Sequence, residues 1–278
     1  MSDQHGRLVL DRPGDVALAA RLLADGHAVA HGFGNIYALT ARGDAVQRLN
    51  ALKGRPRDQT GSLTAPTGRV LDAFDLSQLP PGVSPSLVAD VVAAFGGLGP
   101  FGFRGPAAAH VPPGLTARDG STTTTQVIVP GDRCPSQRFL AAAADAVGGG
   151  PLVISSANRS RHVTGEVDAP AHWRADALRA ELAGAGSLVV LEHADEAAAR
   201  ARFPHHTTVS TTILAVHRAE RVHGRVHLVL ERHGSLAADE VARVLAALGL
   251  GLATGPRAGV RLEPRSYADR PAGLPVPG

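Results

Sequence analysis

The sequence predicts a single mixed α/β domain, and three observations carry the prediction. Short apolar runs of strand length alternate with amphipathic helical stretches from the start of the chain. Gly and Pro punctuate most junctions between them. No stretch before residue 254 changes composition enough to serve as a linker. With 278 residues, 44% of them hydrophobic and 19% charged, the chain is long enough to bury a sizeable core. Aromatic residues make up 4%, so Ala, Val and Leu have to fill that core.

Taken in order, residues 7–10 read as an opening strand. Asp11 and Pro13 introduce a helix whose Val16, Ala19 and Leu23 stripe ends at Gly26. Residues 28–30 and 36–39 are strand candidates on either side of the turn His31-Gly32-Phe33-Gly34-Asn35. Asp44 is placed to cap a helix carrying Val46, Leu49 and Leu52; Gly54 is its left-handed C′ residue and Pro56 forbids continuation. A strand over 62–65 leads to helices over 71–79 and 86–95, separated by Pro80-Pro81. Residues 96–106 read as a Gly/Pro-rich loop, 107–111 as a weak strand and 126–129 as a clearer one. An alanine-rich helix over 136–147 ends in three glycines before a buried strand at 152–154.

A helix over 169–182, a strand over 187–191 and a helix over 196–202 follow, then β-like runs at 207–216 and 226–230. Ser235 is placed to cap a final helix through Leu248. The domain is therefore expected to span residues 7–253. The Pro/Gly/Arg-rich stretch 254–278 lacks periodicity and is expected to be a loosely held tail.

Composition also excludes several function classes. Cys134 is the one cysteine, so neither an intramolecular disulfide nor a cysteine zinc cluster is possible. A net charge of +3 is too small for general coating of DNA, although it allows a local basic cleft. The N-terminal residues lack a cationic-then-apolar leader, and no apolar run approaches the roughly 18 residues a bilayer requires. A soluble, cytoplasmic protein without membrane partners is the expectation.

Several motifs match by letter and fail by context. Gly97-Leu98-Gly99-Pro100-Phe101-Gly102 spells the dinucleotide fingerprint, but it follows a predicted helix and carries Pro100 where a helix should begin. Neither a Walker-type phosphate loop nor the GxSxG hydrolase elbow is present. Among the 13 histidines, His205-His206 and the pair His223 and His227 have no HExxH-like spacing, and no metal ligand set is expected. Cys134 beside Arg133 has no evident base partner, so a buried thiol is the plainer reading than a nucleophile.

Four other segments carry more. Lys53-Gly54-Arg55-Pro56 sets two cations either side of a glycine. Such cations offset a helix C-terminal pole for ~0.3–1 kcal/mol, or converge on one anion; both readings stand at this point. Ser155-Ser156-Ala157-Asn158-Arg159-Ser160 follows an apolar strand, and strand carboxyl ends are where open α/β sheets bind ligands. Its hydroxyl and amide groups suit phosphate oxygens, or equally a polar turn. Val209-Ser210-Thr211-Thr212 opens one β run and Glu231-Arg232-His233-Gly234 closes the next, again placing hydroxyls and a cation at strand ends.

In this order, these segments resemble the YrdC-like family of threonylcarbamoyl-AMP synthases. Gly26-His27-Ala28-Val29-Ala30 is similar to the family's opening strand, and Ile36-Tyr37-Ala38-Leu39 to its VYGL. Lys53-Gly54-Arg55-Pro56 resembles its K-x-R-P, and Ser156-Ala157-Asn158-Arg159-Ser160 its SAN-x-S. Ser210-Thr211-Thr212 resembles its STV, and Arg232-His233-Gly234 its R-x-G. Departures are equally specific. Gly32-Phe33-Gly34-Asn35 stands where the family has PTET, and Gly105-Pro106-Ala107-Ala108 where it has GPxT. Ile128-Val129-Pro130 stands for vRvP, with Arg133 nearby, and Arg161 replaces the glycine after SAN-x-S.

The resemblance implies a twisted mixed sheet flanked by helices, with a basic concave face. It implies a nucleotidyltransferase joining L-threonine or another amino acid, bicarbonate and ATP into a carbamoyl-type adenylate. Pyrophosphate leaves, Mg²⁺ enters on the nucleotide phosphates, and the product feeds tRNA modification. Carried over by position, Lys53 and Arg55 act on the ATP phosphates, and Ser156, Asn158, Ser210 and Arg232 line the nucleotide pocket. Asn35, Tyr37 and Ser210 face the acceptor. Two alternatives stand beside it: a non-catalytic module binding nucleotide, tRNA or double-stranded RNA, and carbamoyl transfer from carbamoyl phosphate through carbamoyl-adenylate.

Overall fold

The computed structural model describes residues 7–160, 170–183 and 188–267. Its backbone hydrogen bonds gather into one 12-stranded sheet. The order runs β1 (Leu8–Val9), β9 (Leu188–Glu192), β2 (Ala28–Phe33), β3 (Ile36–Arg42), β8 (Leu152–Ser156) and β4 (Ser62–Thr64). It continues through β7 (Thr122–Val129), β5 (Phe101–Pro106), β10 (Ile213–Val222), β11 (Arg225–Arg232) and β12 (Gly251–Thr254), with β6 (Thr116–Asp119) paired to β7. Parallel pairing at β1–β9, β9–β2, β4–β7, β5–β10 and β11–β12 is interleaved with antiparallel pairing elsewhere, so the sheet is mixed.

Helices cover both faces because side chains alternate along each strand. On one face α1 (Pro13–Ala24) and α4 (Ser136–Ala146) pack Leu23, Phe139 and Leu140 against Val29, Ile154 and Ile213. The other face carries α2 (Val46–Lys53), α3 (Pro85–Leu98), α5 (Ala175–Glu181) and α7 (Ala238–Ala247), which bury Leu39, Val127, Val153 and the stacked rings of Phe95 and Phe101. The remaining helix, α6 (Glu196–Ala201), is capped by the Asp195 carboxylate. The α/β class and most of the element order follow the sequence expectation.

The differences have physical causes. Residues 96–106 contain β5, not a loop: Phe101 and Phe103 are buried on one face, and Gly102 lies where Ile128 and Ile213 would crowd a Cβ. Residues 71–79 form two 3₁₀ segments, interrupted where Phe74 pairs with Ala107; residues 107–111 form no strand. Asp44 does not cap α2, because its carboxylate pairs with Arg42 at 2.7 Å. Ser235 does not cap α7, because its hydroxyl meets His206 Nδ1 at 3.1 Å. Thr254 at the end of β12 and the packing of residues 255–267 lie within the stretch expected to be loose. Residues 161–169, including Arg161 and the predicted start of the 169–182 helix, lie outside the described residues, as do Ser187 and residues 268–278. Among the described residues, no helix is long and apolar enough to cross a membrane.

Candidate functional site

Beyond the reach of α1 and α4 their face of the sheet opens into a cleft of about 420 Å³. Strand alternation decides what points in. Ile36 and Ala38 on β3, Ile154 and Ser156 on β8, and Gln126 and Ile128 on β7 line the floor, while Leu39, Val153 and Val127 point to the opposite core. Ser62 on β4 accepts a hydrogen bond from Gln126 Nε2 at 2.7 Å. The rim comes from Arg55, Gln59 and Thr60 after α2, Ser210 and Thr211 before β10, Arg232 at the end of β11, and Arg257 after β12. Arg55, Arg104, Arg232 and Arg257 all line the cleft, and no carboxylate does among the described residues.

The K-G-R turn divides its two cations. Gly54 adopts the left-handed conformation at φ 69°, and Arg55 N–H returns to Asn50 O at 2.8 Å, so the chain reverses sharply. Arg55 then reaches the cleft, where its Nη1 donates to Ser155 Oγ at 2.8 Å. Lys53 does not line the cleft, although its Nζ lies 3.5 Å from the cleft-lining Ser156 Oγ. It is fully buried, and its ammonium donates to Ser156 O and to Asn158 Oδ1, the latter at 3.3 Å. Its own carbonyl accepts from Ser160 N–H at 2.8 Å. Lys53 therefore ties the end of α2 to the strand end that carries Ser155 and Ser156. Asn158 is buried with it and does not line the cleft.

On the far wall Arg232 donates through Nε to Thr211 O at 2.7 Å and through Nη2 to Thr211 Oγ1 at 2.9 Å. Gly234 permits this approach: a Cβ there would lie 2.3 Å from Ser210 O and 2.5 Å from the Thr211 carbonyl carbon. Thr212 Oγ1 locks the two segments together by donating to Leu236 O at 2.7 Å.

Arg104 was not anticipated. It stands opposite Gln126 in the β5–β7 register, donates to Thr124 Oγ1 at 3.2 Å and pairs with Glu231 at 3.2 Å. Ile128 occupies the floor where the resemblance has an arginine, so Arg104 supplies a guanidinium from the adjacent strand; Arg133 is exposed and outside the cleft. The available signal was period 2: with Phe101 and Phe103 buried, Arg104 must face the other side. Behind it, His217 Nε2 lies 2.7 Å from Asp119 Oδ2, and Glu231 completes a group of three possible metal ligands. Arg218 and Arg104 already engage the two carboxylates, and the Arg218 hydrogen bond in particular holds Asp119 down to about 2.

Asn35 and Tyr37, expected at the acceptor, are engaged elsewhere. Asn35 Nδ2 donates to His206 O and Thr207 O, each at 2.8 Å. Tyr37 is fully buried, donates to Glu196 Oε1 at 2.9 Å, and has its hydroxyl pKa raised by burial and the nearby Glu196 charge. Ser156 and Ser210 do line the cleft. Cys134 is buried, with its thiol pKa pushed up by desolvation, and its Sγ accepts from Gly34 N–H at 3.2 Å.

Arg257 had no sequence signal, because its position depends on a strap that packs after β12. Arg261 donates to Ser235 O at 2.7 Å, Arg265 pairs with Glu181 at 2.8 Å, and Tyr267 Oη accepts from Trp173 N–H at 3.1 Å.

No protein-family model matches the sequence, and no curated protein matches it. The fold does match solved structures. A double variant of Sua5 from P. abyssi aligns with TM-score 0.61 at 19% identity, covering 88% of this chain and 63% of that one. The P. abyssi Sua5 complexed with L-threonine gives TM-score 0.61 at 19% identity, over 91% and 66% of the two chains. This chain thus spans just under two thirds of the length of those Sua5 structures. The hypothetical protein smu.1377c from Streptococcus mutans UA159 matches with TM-score 0.60 at 13% identity, over 87% of this chain and 94% of that one. The chain has the YrdC-like fold that the sequence resemblance implied.

Proposed function

We propose that this protein is an ATP-dependent nucleotidyltransferase that converts an amino acid, bicarbonate and ATP into a carbamoyl-type adenylate and pyrophosphate, the adenylate serving tRNA modification. The observation that carries the reading is a cleft lined by four arginines and by the hydroxyls of Ser155, Ser156, Ser210 and Thr211, with no carboxylate among its described lining residues. A chain of phosphates matches that charge, since each cation at ~4 Å contributes up to ~4 kcal/mol at an effective dielectric near 20.

The first step needs an unprotonated amine. Like-charge repulsion from the arginines disfavours the ammonium form, leaving the nitrogen lone pair free to attack the bicarbonate carbon. Carbamate and water result. A carbamate oxygen then attacks the α-phosphorus: the new O–P bond forms, the bond to the bridging β-phosphate oxygen breaks, and its electron pair leaves with pyrophosphate. Arg55 and Arg232 are pre-set by Ser155 and Thr211, so stabilising the charge that moves onto pyrophosphate requires little reorganisation. Mg²⁺, when bound, would withdraw charge from the same phosphates. The cleft's arginine-rich, carboxylate-free lining fits a cation that arrives on the nucleotide, with Ser and Thr hydroxyls as the available protein oxygens. The chemistry requires no protein nucleophile, in keeping with the burial of Cys134.

Incubating the chain with labelled bicarbonate, ATP, Mg²⁺ and each amino acid in turn tests the proposal through pyrophosphate release. Absence of release with every amino acid sinks it. Release with carbamoyl phosphate in place of bicarbonate and amino acid transfers the reading to carbamoyl-adenylate formation. Burial of Lys53 favours one further reading, a module that binds nucleotide or structured RNA without turnover; it predicts saturable, salt-sensitive binding and no pyrophosphate.

A further inference from the structure

Arg104 stands apart from the other arginines of the cleft. Arg55, Arg232 and Arg257 reach in from the rim, whereas Arg104 rises from within β5 as part of a polar row on the floor. Gln126 on β7 donates to Ser62 Oγ on β4 and stands opposite Arg104 in the β5–β7 register. A hydroxyl, an amide and a guanidinium thus lie side by side on neighbouring strands. Such strands are about 4.8 Å apart, so one small molecule can touch two of these side chains at once.

The hydrogen bonds already made decide what each group still offers. Arg104 Nε is committed to Thr124 Oγ1 and Nη1 to Glu231, and among the described residues nothing accepts from Nη2. The guanidinium is therefore fixed at two nitrogens while the third keeps both hydrogens. Gln126 turns its Nε2 to Ser62, which leaves Oε1 as an acceptor. Glu231, 3.2 Å from the guanidinium, repels whatever anion binds there in proportion to its charge, so a single carboxylate suits Arg104 better than a polyphosphate. Asn35 and Tyr37, the positions that the resemblance implied for the acceptor, are engaged elsewhere.

A cationic donor beside a neutral acceptor is the complement of an α-amino acid, which carries carboxylate and amine on one carbon. Resting on the synthase reading above, we infer that Arg104 and Gln126 seat the acceptor: Arg104 Nη2 donates to its α-carboxylate, and Gln126 Oε1 accepts from its α-amine. A neutral amide suits the first step. A carboxylate in its place would favour the ammonium form, whose nitrogen has no lone pair for the bicarbonate carbon.

The test is kcat/KM for pyrophosphate release with the preferred amino acid and with its decarboxylated amine, under identical ATP, bicarbonate and Mg²⁺. A charge-assisted hydrogen bond is a factor of about 10–100, so the parent is expected to favour the amino acid by that order. Arg104→Met is expected to remove most of that preference by slowing the amino acid and not the amine, and Arg104→Lys to restore part of it. Gln126→Leu is expected to slow both substrates alike, since both present an amine. A parent that uses the two equally, or an undiminished preference in a folded Arg104→Met protein, overturns the inference and leaves the synthase reading standing. So does a loss that falls on the KM for ATP or bicarbonate instead, or a Gln126→Leu protein as active as the parent. No release by the parent with any amino acid removes the synthase reading and the inference with it.

Discussion

Replacing Gly234 with alanine probes the wall that holds Arg232. A Cβ at 234 would lie 2.3 Å from Ser210 O, 2.5 Å from Thr211 C and 2.6 Å from Thr211 O. These are backbone atoms, so no side-chain rotation relieves the overlap. Ordinary contact begins near 3.4 Å, which requires the 210–211 and 232–234 segments to part by about 1 Å. That movement stretches both Arg232 hydrogen bonds, now 2.7 and 2.9 Å, past useful length. Overpacking of this kind costs about 1–3 kcal/mol. In a chain of this size each kcal/mol lowers Tm by about 2–4 °C. A wall displaced by 1 Å also costs about 10²-fold in turnover where substrate alignment matters. Differential scanning calorimetry, pyrophosphate release and ATP titration calorimetry read stability, turnover and ATP binding separately. Gly68→Ala is the control, since nothing lies within 4 Å of a Cβ there. A Gly234→Ala protein with Tm within a degree of the parent and unaltered ATP affinity would refute the close approach as the basis of the wall.

Two further perturbations separate stability from binding. Lys53→Met removes the charged donor to Ser156 O, which keeps the Asn158 N–H at 3.1 Å, and to Asn158 Oδ1, at about 1.5–3 kcal/mol for each hydrogen bond lost. Arg55→Met removes a cleft cation and should weaken ATP 5- to 150-fold, or about 1–3 kcal/mol, while leaving the urea midpoint near the parent's; equal midpoints for both variants would contradict the division of roles. Acid stability follows from buried histidines. Desolvation lowers His31 to about 3 and both His193 and His206 to about 4. Below the unfolded value near 6.5 the unfolded chain takes up protons that the native chain refuses, so stability falls with pH until the folded values are reached. Each histidine accounts for up to about 2 kcal/mol at pH 5, and a urea midpoint that stays level from pH 7 to 5 would exclude their neutral burial.

What the sequence made legible was local, and what it concealed was not. Helix α1, its Gly26 ending and the left-handed Gly54 depend on residues a few positions apart, and all three hold. Strand β5 was hidden because Gly102 and Gly105 read as loop residues, whereas their missing side chains make room for Ile128 and Phe74 from distant segments. The expected cap Ser235 failed because its hydroxyl meets His206 across the fold, whereas Asp44 is a local exception, its carboxylate drawn to Arg42 two residues away. At the site the contrast falls within three residues. The glycine turn at 54 was readable, but which cation faces the cleft was settled about a hundred residues away, where Ser155 receives Arg55 and the Ser156–Asn158 backbone end receives Lys53. Arg104 and Arg257 complete the cationic lining from elements whose places depend on the whole sheet. A K-x-R pair read from sequence therefore fixes where the turn lies, and the strand end opposite it decides that one cation holds the turn together while the other lines the cleft.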